Sequence, residues 1–311
     1  MWREAKGKRQ EARGILHRAS CILHLAGCDS PQLDAELLLA HALGRERTWL
    51  LAHPEYPLTA TEEERFAALL ARRQAREPLA YILGHREFYG LDFIVDHRVL
   101  VPRPETEMLV EQALAWARRE RPDSKGEGTR NALSPDPYGQ VSDLPLLADV
   151  GTGSGCVAVA LAAHLPQAVV YALDASADAL AVAAANAARH GVAGRVQLLC
   201  GDLLEPLPER VDVIVANLPY VRRDELPTLP PEIRDYEPRA ALDGGPEGLD
   251  WIGRLLAQAP AHLRPGGIIL LEIGAAQGEA ASGLARQRFP QAAVDVLPDY
   301  AGRDRVLRVQ T

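Results

Sequence analysis

Four consecutive residues, Asn217-Leu218-Pro219-Tyr220, combine groups that could hold a planar nitrogen carrying two hydrogens. The side-chain oxygen of Asn217 can accept one N–H, and the backbone carbonyl of Leu218 can accept the other. Pro219 has a fixed φ that stiffens the turn, and Tyr220 offers a flat face for stacking. Such contacts would orient the nitrogen and stabilise positive charge developing on it. Alone, the tetrapeptide could be an ordinary turn after a strand, so its surroundings must decide.

A glycine-rich segment earlier in the chain supplies the first part of those surroundings. It consists of Gly151, Thr152, Gly153, Ser154 and Gly155, which follow one apolar run and precede an alanine-rich helix. Glycines at such a place permit a tight turn and let the backbone approach a ligand closely. A dinucleotide-binding loop is the alternative, but its usual pattern places the third glycine one residue later.

Two acidic residues follow the next two predicted strands. Asp174 could accept both hydroxyls of a ribose, or it could instead cap the following helix. Asp202 could accept from an adenine amino group while Leu203 packs on the base, or it could be a simple turn residue. Dinucleotide binders do not require an acidic residue at this third position. The glycine-rich loop, the two acidic residues and the Asn217 motif, in this order, therefore favour S-adenosylmethionine as the cofactor.

The second half of the chain has the pattern of a doubly wound parallel sheet. Five short apolar runs alternate with helices that we place at 156–165 and 177–190. The predicted strands are Leu146–Val150, Val169–Leu173, Val196–Cys200, Val211–Ala216 and Gly267–Glu272. Two further runs, 293–297 and 306–309, predict an antiparallel pair at the end. We therefore expect an α/β, class I (Rossmann-like) methyltransferase sheet with an antiparallel terminal strand.

The preceding residues predict a second domain and a connector. Residues 1–85 read as a small helical bundle, either a substrate-recognition domain or a structural cap. Its second helix should turn Leu33, Leu37, Leu38, Ala40 and Leu43 toward the core. Residues 86–101 predict a β-hairpin linker, and 102–311 predict the methyltransferase domain. Within that domain, 121–145 lacks apolar periodicity and predicts a mobile surface loop.

The overall composition narrows the class of protein. The 311 residues carry a net charge of −8, so a basic footprint for nucleic acid is missing and direct nucleic-acid binding is not expected. The four cysteines form no C-x-x-C pair, and no histidine cluster suggests a metal site. No apolar run is long enough to span a membrane, and the charged start lacks a signal core. We expect a cytoplasmic monomer without a metal.

Several longer motifs resemble those of the HemK/PrmC family, the protein-(glutamine-N5) methyltransferases of peptide chain release factors. The resemblance covers nearly the whole chain after about residue 30, and its most specific string is Val101-Pro102-Arg103-Pro104-Glu105-Thr106-Glu107. The other matching segments are Arg86–Gly90, Glu237–Gly245 with Gly248–Asp250, and Ala301–Arg305.

The resemblance implies a substrate and a set of site residues. The acceptor would be the glutamine side-chain amide in the Gly-Gly-Gln loop of class 1 release factors, and the helical domain would grip that partner. The cofactor would contact Gly151 to Gly155, Asp174, Leu203 and Asn217, while Asn217 to Tyr220 would hold the glutamine. Four further residues would line or brace the pocket: Phe88, Arg103, Glu105 and Thr106. Arg103 and Glu105 could alternatively form a salt-bridge brace.

Two departures from the family pattern and two rival substrates remain open. The family usually has Pro where this chain has Leu218, but Leu can serve because only its backbone carbonyl is needed. The 121–145 loop is longer than the family needs. The rivals are a glutamine in another translation protein and an exocyclic adenine amine in nucleic acid, whose amino group is also planar with two hydrogens. The acidic balance and the 101–107 string argue against adenine.

Overall fold

A computed structural model describes residues 11–119 and 144–311, which fall into two compact units. The first unit comprises the described residues up to His85 together with Leu229–Tyr236. The second comprises the described residues of Arg86–Thr228 and Glu237–Thr311, so the predicted hairpin belongs to this unit. The predicted loop over 121–145 lies almost entirely outside the described residues.

The first unit is helical, as predicted. Its helices are α1 Ala12–Leu25, α2 Pro31–Leu43, α3 Arg47–Ala52, α4 Ala60–Gln74, α5 Leu79–Leu83 and, from the returning segment, α9 Pro231–Arg234. Thr59 and Glu62 form a capping box at the start of α4, and Gly44 ends α2 in a left-handed conformation with φ of 62°. The core is formed mainly by α1, α2 and α4, with Ile15, Leu38 and Phe66 fully buried.

The predicted inner face of α2 was wrong at one position. Leu33 is exposed, and the neighbouring Asp34 and Ala35 are buried instead. The reason is a long-range ion pair, because the Arg73 guanidinium donates to the Asp34 carboxylate at 2.7 Å inside the unit. A buried carboxylate with such a partner can replace an apolar residue on the inner face.

The second unit is built on a seven-stranded sheet, with the hairpin β1 His85–Phe88 and β2 Leu91–Ile94 beside it. The sheet strands are β3 Leu146–Val150, β4 Val169–Asp174, β5 Val196–Cys200, β6 Val211–Ala216, β7 Leu263–Glu272, β8 Ala293–Pro298 and β9 Asp304–Gln310. Their order is β5-β4-β3-β6-β7-β9-β8. The first five are parallel and β9 runs antiparallel to its neighbours, which confirms the predicted fold.

Helices cover both faces of this sheet. They are α6 Glu107–Arg119, α7 Cys156–His164, α8 Ala177–Arg189, α10 Asp250–His262 and α11 Gly278–Arg288. Alternate strand residues such as Ala148 and Ile214 pack in one buried cluster with apolar residues of α10 and α11. The chain runs outward from β3 to β5 and then returns to place β6 beside β3. Ligands bind in open α/β sheets at such a reversal, outside the carboxyl ends of the strands.

Candidate active site

The glycine-rich segment forms a tight loop between β3 and α7. The backbone N–H groups of Gly151 and Thr152 both donate to the Leu173 carbonyl, at 2.8 and 2.9 Å. Gly151 has a φ of 73°, and a Cβ there would lie 3.1 Å from the Leu218 side chain. Gly155 has a φ of 79°, and its Cβ would lie 3.0 Å from that of Ala183. Glycine is therefore required at both positions by the backbone conformation and by the packing of this loop against protein side chains.

The buried carboxylate of Asp149 holds the glycine-rich loop in place through two hydrogen bonds. Asp149 accepts from the Thr152 hydroxyl at 2.6 Å and from the Ala158 N–H at 3.0 Å, which ties the loop to the first turn of α7. Burial raises the pKa of the Asp149 carboxyl from 3.8 to about 7, although both hydrogen bonds oppose that rise. Sequence reasoning named this residue only as the end of a strand.

Asp174 lies beside the glycine-rich loop, at the end of β4. Its carboxylate accepts from the Gly153 N–H and from the Ser176 N–H, each at 2.9 Å. Ser176 is the N-cap residue of α8, since its hydroxyl accepts from Ala179 N–H at 3.2 Å. The capping function that was the alternative for Asp174 is thus performed by another residue.

Asp202 and Leu203 lie just after the end of β5. Asp202 forms an ion pair with Arg254 of α10, and the Arg254 guanidinium lies over the Trp251 ring at 4.8 Å from its centroid. Leu203 has a φ of 51°, a left-handed conformation that is strained for a side chain of this kind, and its side chain is buried. Both residues line the same cavity as the glycine-rich loop.

The Asn217 motif directly follows β6. The side chains of Asn217 and Tyr220 are both linked to the buried carboxylate of Glu272, Asn217 through the Thr106 hydroxyl and Tyr220 directly. The Asn217 Nδ2 donates to the Thr106 hydroxyl at 3.0 Å, and that hydroxyl donates to Glu272 Oε2 at 2.6 Å. The Tyr220 hydroxyl donates to Glu272 Oε1 at 3.1 Å. Within residues 11–119 and 144–311, Asn217 Oδ1 and the Leu218 carbonyl accept no hydrogen bond. Both residues line the cavity described below, and neither predicted acceptor is occupied by a donor of the described residues.

The segment after the motif holds its backbone in place. Val221 N–H donates to the Leu242 carbonyl at 3.0 Å, and Gly244 N–H donates back to the Val221 carbonyl at 2.9 Å. A Cβ at Gly244 would lie only 2.7 Å from the Pro219 carbonyl oxygen, so this close contact requires glycine. The resemblance singled out this segment, and the structure shows that it packs on the tetrapeptide.

The four residues that the resemblance implies as lining or bracing the pocket divide into two pairs. Arg103 and Thr106 line the cavity, and Arg103 donates to Glu237 at 2.6 Å. Burial raises the pKa of the Glu237 carboxyl, and the Arg103 charge opposes that rise. Glu105 is exposed, and Phe88 is buried against Phe93 in the hairpin, so neither lines the cavity. Arg103 does form a brace, but its partner is Glu237.

Asn186 of α8 is a structural residue that sequence reasoning missed. Its side chain is fully buried, accepts from the Ile94 N–H at 2.7 Å, and donates to the Ile94 and Ser154 carbonyls at 3.0 and 2.8 Å. One amide thereby joins the hairpin to the glycine-rich loop. No local sequence signal distinguishes it, because its partners lie far away in the chain.

These residues surround a cavity of about 420 Å³ at the carboxyl ends of β3, β4, β5 and β6. Its lining combines the first four residues of the glycine-rich loop, Asp174, Asp202 and the first three residues of the Asn217 motif. Two predicted site residues, Gly155 and Tyr220, lie outside this lining. Most of the lining is apolar, with few polar groups at defined places, as in small-molecule sites. Among the described residues, no cluster of side chains could hold a metal ion, and no helix is long and apolar enough to cross a membrane.

Comparisons with known proteins agree with this geometry. Residues 14–84 match the family described as the PrmC N-terminal domain, and residues 147–236 match the methyltransferase domain family. The release factor glutamine methyltransferase of Cereibacter sphaeroides is 46% identical over 281 residues, covering 90% of this chain and 91% of its own. That of Moorella thermoacetica is 46% identical over 280 residues, with the same coverage.

Among solved structures, the hMettl16 catalytic domain in complex with the MAT2A 3'UTR hairpin 6 superposes with a TM-score of 0.51. The match is 14% identical and covers 78% of this chain and 81% of that one. At this identity the likeness concerns the fold alone.

Proposed function

The chain belongs to the family of release factor glutamine methyltransferases, and we propose that it transfers a methyl group from S-adenosylmethionine to a release factor glutamine. The acceptor atom is the side-chain amide nitrogen of the Gly-Gly-Gln motif. One observation carries the proposal: Asn217 Oδ1 and the Leu218 carbonyl are both open acceptors beside the glycine-rich loop. They match the two hydrogens of a planar amide nitrogen.

The cavity has the groups that a nucleoside with a sulfonium side chain requires. Asp174 would accept the ribose hydroxyls with the lone pairs that Gly153 and Ser176 leave open, and Asp202 would accept from the adenine amino group beside Leu203. The Thr152 and Ser154 side chains are buried, so these residues contribute through the loop backbone. S-adenosylmethionine, when bound, supplies an electrophilic methyl group on a positively charged sulfur.

The Asn217 motif then acts by orientation and by charge stabilisation. An amide nitrogen is a poor nucleophile, because its lone pair is delocalised into the carbonyl. Hydrogen bonds from both N–H groups to Asn217 and Leu218 raise the electron density on nitrogen and stabilise the positive charge that develops as the methyl group arrives. Holding the nitrogen in one place also removes much of the entropic barrier. As the nitrogen–methyl bond forms, the methyl–sulfur bond would break and its electron pair would stay on sulfur, so that S-adenosylhomocysteine leaves as a neutral thioether. The nitrogen would then release its proton to water, so no strong base is needed beforehand.

Pro219 lines the cavity, and Tyr220, the next residue, lies just outside its lining. The Tyr220 hydroxyl is fixed on Glu272, which leaves its ring as the flat surface for the glutamine amide. Burial raises the pKa of Tyr220, so its hydroxyl stays protonated and remains a donor at neutral pH. The Tyr220 ring is therefore an uncharged stacking surface at neutral pH.

The first unit is proposed to bind the release factor. It corresponds to the part of the chain that matches the PrmC N-terminal domain family, and none of the proposed cofactor-binding or glutamine-binding residues lies in it. If one unit catalyses and the other binds, the release factor would be recognised over a larger surface than the short Gly-Gly-Gln motif offers. We propose the cytoplasm, where release factors act, as the place of the reaction.

The proposal is tested by methyl transfer from labelled S-adenosylmethionine to purified release factor. We expect label on the Gly-Gly-Gln glutamine and its loss when that glutamine is replaced by glutamate in the substrate. Ribosomal proteins, tRNA, rRNA and DNA are offered in parallel reactions. Label on one of these alone would replace the proposal with the corresponding rival substrate.

A further inference from the structure

Glu272, the last residue of β7, is a buried carboxylate to which the reaction scheme above assigns only the anchoring of the Tyr220 hydroxyl. It is 1% exposed. Its two oxygens accept from two different hydroxyls, Thr106 at 2.6 Å and Tyr220 at 3.1 Å. Isolating a carboxylate from water is costly, so a buried one with hydrogen-bond partners on both oxygens calls for an explanation.

The hydrogen atoms in this network can be placed by counting them. A carboxylate accepts and cannot donate, so the single hydroxyl proton of Thr106 must point toward Glu272. The Thr106 oxygen can then only accept from its other neighbour, Asn217, 3.0 Å away. The amide group of Asn217 therefore presents its NH2 to Thr106. Its oxygen faces the other way.

This direction matters because an asparagine amide can rotate by half a turn with little change of shape. In the opposite orientation, Asn217 would present N–H groups to the N–H groups of a substrate amide. Two donors would then face each other, and the hydrogen bond that orients the nitrogen would be lost. The side chain of Asn217 alone contains nothing that selects one orientation.

We propose that Glu272 is a positioning residue that, through the Thr106 hydroxyl, fixes the Asn217 amide with its oxygen toward the substrate nitrogen. The proposal deepens the proposed function and rests on it. The same carboxylate anchors the Tyr220 hydroxyl, so one buried group sets both ends of the tetrapeptide.

The hydrogen-bond geometry, rather than the surrounding charges, indicates an ionised Glu272. Burial raises the pKa of Glu272, while the two hydroxyl donors and the charge of Arg305 lower it, and Glu105 raises it. The balance is a raised pKa, because burial is the largest of these influences. The 2.6 Å distance from the Thr106 hydroxyl is that of a hydrogen bond to an ionised carboxylate, and each carboxylate oxygen has a neutral donor directed at it.

The first experiment compares isosteric changes at Thr106, measured as kcat and KM of the full chain on release factor with saturating S-adenosylmethionine. Thr106→Val keeps the shape and removes the hydroxyl, and we expect kcat to fall about 30-fold or more. Thr106→Ser keeps the hydroxyl and should stay within about 3-fold of wild type. Cofactor affinity should change little in either. The matched control is Thr311→Val, because Thr311 donates to the carbonyl of Gly267, in the middle of β7 and away from its carboxyl end.

The second experiment asks whether Glu272 acts through Thr106. The glutamine side chain in Glu272→Gln can present either its oxygen or its NH2 to Thr106, and only the first orientation keeps the acceptor. Because part of the interaction survives, we expect a smaller loss of kcat than in Thr106→Val. In the double variant, the loss of kcat should be much smaller than the product of the two single losses. The reason is that both changes break the same hydrogen-bond relay, from Glu272 through Thr106 to Asn217. Losses that multiply would show that Glu272 acts independently, and an active Thr106→Val would remove the relay altogether.

A third measurement needs no methyl transfer. The sequence has asparagine at three positions, 131, 186 and 217, so selective 15N labelling gives three side-chain amide signals, and Asn217→Ala assigns one of them. We expect one Asn217 N–H to exchange slowly with water in wild type and in Thr106→Ser, and both to exchange fast in Thr106→Val. If no release factor is methylated, the proposed function fails, while this exchange pattern still decides the relay. Equal exchange in all variants would overturn the relay even in an active enzyme.

Discussion

At the scale of single residues, the site depends on Asn217 more than on any other side chain. Asn217→Ala removes the open oxygen and the link to Thr106 together. We expect kcat to fall by about 100-fold to 1,000-fold, as when one donor or acceptor is removed from a preorganised charge-stabilising site. Cofactor affinity should fall much less, because Asp174, Asp202 and the glycine-rich loop remain. Single-turnover labelling and calorimetric cofactor titration separate the two effects, and a variant with full activity would reject the assigned role.

Asp149 gives a second prediction, on the pH dependence of stability. Its folded pKa of about 7 lies above the ordinary value of 3.8. Between these two values the folded protein holds a proton that the unfolded chain has released, so this residue makes stability fall as pH rises toward 7. Asn at this position keeps an oxygen for both Thr152 and Ala158 and does not titrate. The drop in thermal-unfolding midpoint from pH 5 to pH 7.5 should therefore be smaller in Asp149→Asn than in wild type, and equal drops would contradict the assignment.

At the scale of elements, the parallel strands were predictable because each is a short apolar run that ends in, or is followed by, a polar or glycine residue. Four of the five parallel strands begin and end within one residue of the prediction; β7 instead begins at Leu263, four residues early. The glycine-rich loop and the Asn217 motif could be placed together because parallel strands end at one edge of a sheet. Local sequence therefore predicted most of the architecture and the location of the site.

What could not be predicted depends on contacts between distant positions. The burial of Asp34 requires Arg73, which is 39 residues away, so hydrophobic periodicity assigned that face to Leu33. Glu272 looks like the end of an ordinary strand, and its function appears only when Thr106 and Tyr220 are brought to it. Buried polar side chains of this kind satisfy partners that no local pattern reveals.

Asn186 offers a prediction on how elements are joined. Asn186→Ala leaves Ile94 N–H and the Ile94 and Ser154 carbonyls without their side-chain partner. Because unsatisfied buried groups are costly, we expect the second unit to lose about 2–4 kcal/mol of unfolding free energy. Cofactor affinity should also fall, since Ser154 lies in the glycine-rich loop. Urea unfolding fitted for two units measures the first effect. The exposed Gln287→Ala of α11 is the control and should change stability by less than about 0.5 kcal/mol.

At the scale of the whole molecule, the chain passes between the two units three times, after His85, Thr228 and Tyr236. The returning segment Leu229–Tyr236 is held in the first unit by Glu232, which pairs with Arg73 at 3.0 Å and with Arg76 at 2.5 Å. In the sequence this segment lies between the Asn217 motif and Glu237, the partner of Arg103. The chain therefore leaves this held segment toward the Asn217 motif on one side and toward Glu237 on the other.

This continuity determines how the proposed function of the helical unit should be tested. Deleting the first 80 residues would also remove Arg73 and Arg76 and release the segment that follows the Asn217 motif. A loss of activity would then say nothing about binding. Substitutions at exposed positions avoid this problem, because they leave the ion pairs and the core intact.

Leu25 and Leu51 are suitable positions, since they are large apolar residues of the helical unit that are 86% and 51% exposed. We expect Leu25→Asp and Leu51→Asp to raise KM for intact release factor and to leave kcat/KM for a short Gly-Gly-Gln peptide unchanged, because the peptide engages only the catalytic unit. The control is Tyr300→Asp, at a residue of the second unit that is 91% exposed. If both Leu variants methylate release factor and peptide as wild type does, these residues lie outside the binding surface. If both substrates suffer equally, the helical unit supports the catalytic unit rather than binding the partner.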